Sequence, residues 1–218
     1  VRLDGRENRC DRSDCATLPC NSTEPFRLFT EGDDLYASML SAIAGAKESI
    51  RLESYIFADD AVGNRFSQAL IERVQAGVRV RVHIDAAGSL FWFSSRLQNH
   101  LRQNGVHLRW FHRWSWRQPW RYNRRNHRKL LSVDNSIAFL GGFNIHKENS
   151  LEYYGNTRWR DTHVSFESSL VDVASQMFDA FWEGRLHWQS EQEGNGSRLL
   201  HNHTLICRHR LRCVYVSA

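Results

Sequence analysis

The sequence predicts an α/β sandwich of one lobe, with a mixed, mostly parallel sheet flanked by helices. Helical and strand patterns alternate along the chain, as they do where crossover helices join the strands of a sheet. Residues 78–85 alternate between apolar side chains and charged or polar ones, which is the period of a half-buried strand. Residues 61–75 carry apolar side chains at helical spacing, and Gly77 follows at a position that suits a helix end.

The remaining elements follow the same two periods. Asp33 and Asp34 suit the N-terminus of a first helix, and Asp134-Asn135 is typical of a tight turn between two strands. In chain order, further strands are predicted over residues 49–57, 106–111, 129–133, 136–140 and 159–166, and further helices over 94–103 and 169–182.

The composition divides the 218 residues into four stretches. Residues 1–25 lack apolar periodicity and are predicted to be a poorly ordered leader or linker. Residues 26–188 form the predicted lobe, and the polar residues 189–198 form a linker. We expect residues 199–218 to begin a second, truncated lobe.

Composition also narrows the class of protein. An aromatic content of 12% excludes general disorder, and the apolar stretches are far shorter than the ~20 residues of a membrane-spanning helix. The formal charge of +5 indicates an anionic partner. Cys10, Cys15 and Cys20 lack the paired spacing of a zinc site, so we expect no metal and no cofactor.

The residues best suited to chemistry lie around one predicted hairpin. His127 and Lys129 are two apart at its start, so on a strand their side chains would share a face about 6.5–7 Å apart. Gly141 and Gly142 let a ligand approach the backbone, and Asn144 adds an amide donor. A nucleophile, a cation, an amide and exposed backbone suit a phosphate group.

The string that holds these residues is HRKLLSVDNSIAFLGGFN. It resembles the phospholipase D superfamily signature, the HKD motif, at every defined position. The flanking strings RNHRKLLSVD, GGFNI, WRDTHV and IRLESYIF resemble the cardiolipin synthase branch in particular. The resemblance covers about residues 26–182.

The resemblance implies roles for individual residues. His127 would attack phosphorus to form a phosphohistidine, or protonate the leaving group. Lys129 and Asn144 would hold the non-bridging oxygens, and Asp161 would orient the catalytic imidazole. Glu53 matches a family pattern and would support the site from behind.

Asp134, Gly141 and Gly142 complete the motif. Because strand alternation puts Asp134 on the opposite face from His127, we expect it to serve the turn. The chain holds one such motif, whereas the family's active site needs two. Either two chains pair about a twofold axis or the second half lies beyond residue 218; we favour truncation over a homodimer.

Residues 109–125 combine arginines with tryptophans directly before His127. Both residue types favour the lipid headgroup interface, and we predict headgroup contact there. Packing of the tryptophans in the core and stacking on nucleic acid are the alternatives. The predicted headgroup residues are Trp114, Trp116, Trp120, Arg121 and Arg124.

The first functional hypothesis is a cardiolipin synthase-type phosphatidyltransferase, bound peripherally to the cytoplasmic side of a bacterial inner membrane. Its substrate would be a phospholipid such as phosphatidylglycerol. The second is a dimeric, metal-independent phosphodiesterase or nuclease, with nucleic acid as the less favoured partner. The third is an inactive half-enzyme.

Overall fold

The computed structural model describes residues 26–111, 126–167, 169–185 and 199. These residues form seven strands and five helices. The strands are β1 (Phe26–Phe29), β2 (Ser49–Ser54), β3 (Arg79–Asp85), β4 (His107–Phe111), β5 (Leu130–Val133), β6 (Ile137–Gly141) and β7 (His163–Phe166). The helices are α1 (Gly32–Gly45), α2 (Ala61–Gln75), α3 (Ser95–Gln103), α4 (Leu151–Tyr154) and α5 (Leu170–Trp182).

All seven strands form one sheet in the order β1-β7-β6-β5-β2-β3-β4. The α/β class and the mixed sheet are confirmed, but the expectation of a mostly parallel sheet is wrong. Among the described strands, only β2–β3 and β3–β4 pair in parallel, whereas the other four pairs are antiparallel. Only three residues join β5 to β6, and so short a connection permits only an antiparallel pair. The directions of the other antiparallel pairs depend on how segments far apart in the chain pack together.

Two apolar cores cover the two faces of the sheet. Side chains of α1, α2 and α3 pack on one face, and those of α5 pack on the other. The adjacent residues Leu131 and Leu130 belong to different cores, because successive side chains of a strand point to opposite faces. The sheet is therefore the middle layer of the predicted sandwich.

Helix α2 has the predicted bounds, and Gly77 follows it with a positive φ of 86°. The predicted strand over 49–57 ends at Ser54, because the backbone of the next residues bonds to other loops. Asp33 and Asp34 lie inside the first turn of α1 rather than capping it. Asp33 instead accepts hydrogen bonds from the backbone N–H groups at the start of α4, at 2.9 and 3.1 Å.

The β5–β6 turn is fixed by Asp134 and Asn135, which have positive φ values of 51° and 52°. The Asp134 carboxylate accepts hydrogen bonds from the backbone N–H of Lys47, Glu48 and Ser49, at 2.7–2.9 Å. Although burial raises the pKa of Asp134, these bonds lower it overall below its ordinary value. The turn is thereby attached to the start of β2.

Candidate active site

The candidate site lies at one edge of the sheet. The ends of β2, β3 and β6 and the starts of β5 and β7 share this edge, because β5 and β7 run opposite to the other three strands. The topology thus brings together residues that are far apart in the sequence. Those predicted to act here are Glu53, His127, Lys129, Gly141, Gly142, Asn144 and Asp161.

His127 and Lys129 both precede β5, which begins at Leu130, so they do not lie on the strand as predicted. Their side chains nevertheless touch. Lys129 Nζ lies 3.0 Å from His127 Nε2 and 3.1 Å from Nδ1, and it donates to the His127 carbonyl at 3.0 Å. The Tyr55 ring packs on the imidazole at a centroid distance of 4.6 Å. Lys129 is buried, whereas His127 is exposed to solvent.

These contacts set the charges of the pair. Burial lowers the pKa of Lys129 to about 8, against the opposing effect of Asp161 and Asp85. Burial and then the Lys129 charge lower the pKa of His127 below its ordinary value. Near neutral pH the imidazole is therefore mainly neutral while most of the lysine remains a cation, which suits a nucleophile beside an anion-binding group.

Gly142 and Asp161 lie against each other beside this pair. A Cβ on Gly142 would overlap the Asp161 carboxylate, so a larger residue there would displace this side chain from its position. The Asp161 carboxylate accepts a hydrogen bond from Thr162 N at 2.7 Å, and Gly142 N donates to the Thr162 carbonyl at 2.8 Å. Asp161 raises the pKa of both His127 and Lys129 by its charge, so in this arrangement it acts on the imidazole at a distance.

Gly141 continues the contact between β6 and the segment that precedes β5. Its N–H donates to the Lys129 carbonyl at 3.3 Å, which extends the pairing of β5 and β6 past the last ladder pair. A Cβ on Gly141 would overlap buried His163. Burial, assisted by the Lys129 charge, lowers the pKa of His163 to about 3, so this second imidazole is neutral.

Asn144 is held in a defined orientation. Its side-chain Oδ1 accepts a hydrogen bond from Ile56 N at 3.1 Å, and its backbone carbonyl accepts one from the Tyr36 hydroxyl at 2.6 Å. Because a backbone N–H can only donate, Oδ1 must be the atom that faces it, and the amide Nδ2 is left as a donor. Ile56 follows Tyr55, so the amide lies close to the residue that packs on His127.

A buried polar cluster holds the segment before β5, residues 126–129, from behind. The Glu53 carboxylate accepts hydrogen bonds from the Asn126 side chain and from Arg128 Nη2, the latter at 2.9 Å. His83 Nδ1 lies 3.3 Å from the same carboxylate. Burial raises the pKa of Glu53, but Arg128 and His83 outweigh it and lower the pKa to about 2. Asp85 completes the cluster by accepting from Asn126 N at 2.8 Å.

The structure adds residues that the sequence reasoning missed. None of four residues that contact or hold the segment before β5 was predicted to do so: Tyr55, Asp85, Asn126 and Arg128. Asn126 and Arg128 flank His127 inside the quoted motif strings, and Asp85 ends an alternating strand at the active edge. A polar residue at that end of a strand was the available signal.

Several predictions lie outside the described residues. They concern the cysteines of the leader (Cys10, Cys15 and Cys20), the linker over 189–198, the second lobe after Leu199, and all five headgroup residues (Trp114, Trp116, Trp120, Arg121 and Arg124). Within the described ranges, no helix is long and apolar enough to cross a membrane. In the same part of the chain, no three His, Cys, Asp or Glu side chains are grouped so as to hold a metal ion.

Comparison with known proteins agrees with this geometry. A family model described as "Cardiolipin synthase, PLD-like domain" matches residues 39–182. Cardiolipin synthase 1 of Staphylococcus aureus is 35% identical over 167 residues, covering 73% of this chain and 32% of that protein. The major cardiolipin synthase ClsA of Bacillus subtilis is 34% identical over 165 residues, covering 73% and 33%.

Two solved structures share the fold. Nuc from Salmonella typhimurium, a phospholipase D family member, superposes with a TM-score of 0.58 at 23% identity, covering 73% of this chain and 95% of that chain. Phosphatidylserine synthase from Haemophilus influenzae gives a TM-score of 0.55 at 14% identity, covering 71% and 36%. At these identities the likeness concerns the fold alone.

The lobe is thus a phospholipase D-like α/β sandwich, as predicted. The chain belongs to the cardiolipin synthase, PLD-like domain family. It spans about a third of the length of the curated relatives it matches.

Proposed function

We propose that this lobe transfers a phosphatidyl group from a phospholipid to an alcohol through a phosphohistidine on His127. The observation that carries the proposal is the contact between an exposed imidazole and a buried ammonium group, with Lys129 Nζ 3.0 Å from His127 Nε2. The imidazole is open to a substrate, whereas the cation is held in place by its surroundings. This pairing suits attack on an anionic phosphodiester.

In the first step, the lone pair of an imidazole nitrogen attacks phosphorus, and the bond from phosphorus to the leaving alcohol oxygen breaks. Negative charge grows on the non-bridging oxygens as the new bond forms. We assign the balancing of that charge to the Lys129 ammonium and the Asn144 amide. Preorganised donors of this kind contribute roughly 3–4 kcal/mol each to transition-state stabilisation.

In the second step, an acceptor alcohol attacks the phosphohistidine, and the imidazole leaves with its electron pair restored. The first leaving oxygen needs a proton, and the acceptor must lose one, so the cycle needs a second acid–base group. The sequence holds one His-x-Lys motif. We assign this role to a second motif, supplied by a further lobe or by a second copy of the chain.

The proposed substrate is a phosphatidylglycerol-like phospholipid, and the proposed location is the cytoplasmic side of a bacterial inner membrane. The bacterial cardiolipin synthases among the relatives support this choice over nucleic acid. Water in place of the alcohol would give hydrolysis, so access of the acceptor decides between transfer and hydrolysis.

The test is incubation of the purified chain with phosphatidylglycerol vesicles and, separately, with plasmid DNA, using His127→Ala as the control. Where two copies of the chain pair and supply both motifs, we expect cardiolipin to form and a covalent phosphatidyl–protein adduct to be trapped, with both lost in His127→Ala. The variant should unfold at the wild-type temperature, because the side chain is exposed. A mass measurement in solution shows whether two chains supply two motifs.

Nicking of DNA without added metal, but no reaction with lipid, would instead support the phosphodiesterase hypothesis. No turnover and no adduct on either substrate would support an inactive half-enzyme. For a chain that the mass measurement shows to be paired, either outcome would overturn the phosphatidyl-transfer proposal.

A further inference from the structure

The candidate site has an exposed apolar border that the proposed chemistry does not use. Leu90 is 56% exposed, Phe91 is 91% exposed and Trp159 is 52% exposed, whereas Trp92 is partly covered. We refer to Leu90, Phe91, Trp92 and Trp159 as the aromatic rim. Exposed apolar clusters on folded proteins often mark interaction surfaces.

The members of the rim come from two loops that a single buried side chain joins. His146 is fully buried, and its ring packs against Trp92 at a centroid distance of 5.7 Å and against Trp159 at 5.3 Å. The loop after β3 and the loop before β7 therefore lie side by side. Trp92 and Trp159 thus pack on one buried ring, which joins the two loops that carry the rim.

The rim is also attached to the candidate nucleophile. Ser89 Oγ donates to the Tyr55 carbonyl at 2.9 Å, and the Tyr55 ring packs on His127. On the other side, Asp85 accepts hydrogen bonds from Gly88 N at 3.0 Å and from the backbone N–H of Asn126, which precedes His127. A ligand whose phosphate is held at His127 thus has the rim beside it.

The loop that presents Leu90 and Phe91 is held in position on both sides of its tip. The backbone N–H of Trp92 and that of Phe93 both donate to the Ser89 carbonyl, at 3.1 and 2.9 Å, and the Trp92 carbonyl accepts from Asp59 N at 2.7 Å. A Cβ on Gly88 would overlap Tyr55, so the loop packs tightly there. The fold already holds the tip in solvent, so inserting the tip into another phase costs little further conformational entropy.

An exposed guanidinium group beside the rim suits the phosphate of a phospholipid. Arg158 and Arg160, on either side of Trp159, share one carboxylate, that of Glu31, at 2.6 and 3.0 Å. Glu148 and Asp161 are further carboxylates of this loop, and Arg160 is largely exposed. Aromatic side chains next to arginine are the combination that favours the lipid headgroup region.

We infer that the aromatic rim inserts into the interfacial layer of an anionic phospholipid bilayer, with Phe91 as the deepest side chain, and so delivers the substrate phosphate to His127. A bilayer suits this shape better than a second copy of the chain. A single protruding ring needs a socket in a rigid partner, whereas lipid flows around it. The inference rests on the proposed function in that the substrate is a membrane lipid.

The test is binding of the whole chain to vesicles of phosphatidylcholine alone and of an equimolar mixture with phosphatidylglycerol. We expect Phe91→Ser to lower the partition coefficient for the mixed vesicles about tenfold, since one buried phenyl ring is lost. Phe91→Trp should stay within about twofold of the wild type, because an indole serves the same layer.

Phe26→Ser is the matched control. Phe26 is 43% exposed and pairs with Phe166 at the end of β7, away from the edge of the sheet that holds the candidate site. Its partition coefficient should not change. Equal binding of Phe91→Ser and the wild type would overturn the inference, as would no binding of the wild type to either vesicle. A loss of dimer mass in Phe91→Ser with unchanged vesicle binding would assign the rim to a second copy.

Vesicle binding is measured without turnover, so its outcome is separate from the proposed reaction. Turnover of a short-chain phosphatidylglycerol below its micelle concentration tests the chemistry without a surface. We expect Phe91→Ser to keep that activity. Loss of activity on the dispersed lipid with normal vesicle binding would contradict the proposed function but not the inference about the rim.

Discussion

The two ends of the β5–β6 hairpin carry residues of the same motif, but they affect the stability of the fold in opposite ways. At the turn, Asp134 receives three backbone hydrogen bonds, and its carboxylate is satisfied as a charged group. At the open end, Lys129 is buried and its pKa falls to about 8, so the folded state disfavours its charge. One end stabilises the fold, whereas the other is destabilised to hold a cation beside an imidazole.

The motif therefore contains two kinds of residue: one that stabilises the turn and one that serves the proposed reaction. The spacing from Lys129 to Asp134 spans the strand β5, so the aspartate determines where the strand turns and the lysine lies where it begins. Their substitution should therefore separate activity from stability.

The largest expected effect is that of Lys129→Met. If the proposed reaction holds, phosphatidyl transfer should fall about 10²–10³-fold, as it does when a donor to a developing charge is removed. The variant should at the same time be more stable at pH 7 by about 1–2 kcal/mol, because a buried charge is gone. Thermal unfolding and the transfer assay measure the two effects.

The sign of this stability change follows from the linkage between proton binding and folding. The folded pKa of about 8 lies below the unfolded value of about 10.4, so the unfolded chain binds more protons between them. The penalty is fully present below pH 8 and is lifted as the pH rises toward 10. Exposed Lys147→Met is the control, and a less stable Lys129→Met would contradict the contrast between the two ends.

The second effect concerns the cluster behind the site. Glu53→Gln leaves the Arg128 guanidinium without its carboxylate in a buried position, which should lower the free energy of unfolding by about 3 kcal/mol. Glu48→Gln is the same substitution at an exposed residue just before β2 and should change stability by less than about 0.5 kcal/mol. Urea unfolding compares them, and equal midpoints would show that the cluster does not support the fold.

A smaller effect is expected at the turn. Asp134→Ala removes the acceptor of three backbone bonds and should cost about 2 kcal/mol of stability, while the folded variant keeps its specific activity within about threefold. Asp34→Ala, in the exposed first turn of α1, should cost about 0.5 kcal/mol. A folded Asp134→Ala with specific activity as low as that of Lys129→Met would remove the distinction between the two ends.

The smallest expected effect is on the pH dependence of activity, which tests the charges at the open end of the hairpin. Transfer needs a neutral His127, whose pKa is lowered from its ordinary value, and a charged Lys129, whose pKa is about 8. Activity should therefore rise on the acid side and fall above pH 8, by about tenfold at pH 9. In Lys129→Arg any remaining activity should lose this alkaline decline, because arginine stays charged. An unchanged alkaline decline would assign it to another group.

The sequence predicted the hairpin well because its signals are local. Asp134 and Asn135 favour positive φ, and the alternation on either side favours strands. The same is true of α2, whose helical period and following glycine lie within one short segment. The direction of strand pairing was wrong in most of the sheet, because it depends on how distant segments pack.

The site shows the same division. His127 and Lys129 were predicted as a pair, yet their contact does not come from strand geometry, since both precede β5. Asn126, Arg128 and Tyr55 were missed because their partners are far away in the sequence. Glu53, for example, lies 75 residues before Arg128.

By itself the sequence determined the chemical groups, the local turn and the family to which they belong, because residue identity and short spacing carry that information. Only the tertiary structure decided that Lys129 is buried, that Asp85 and Glu53 hold the segment before β5, and that Phe91 is exposed. Burial and long-range contact shift pKa values and expose or cover side chains. These quantities depend on the environment that the whole fold creates around a residue.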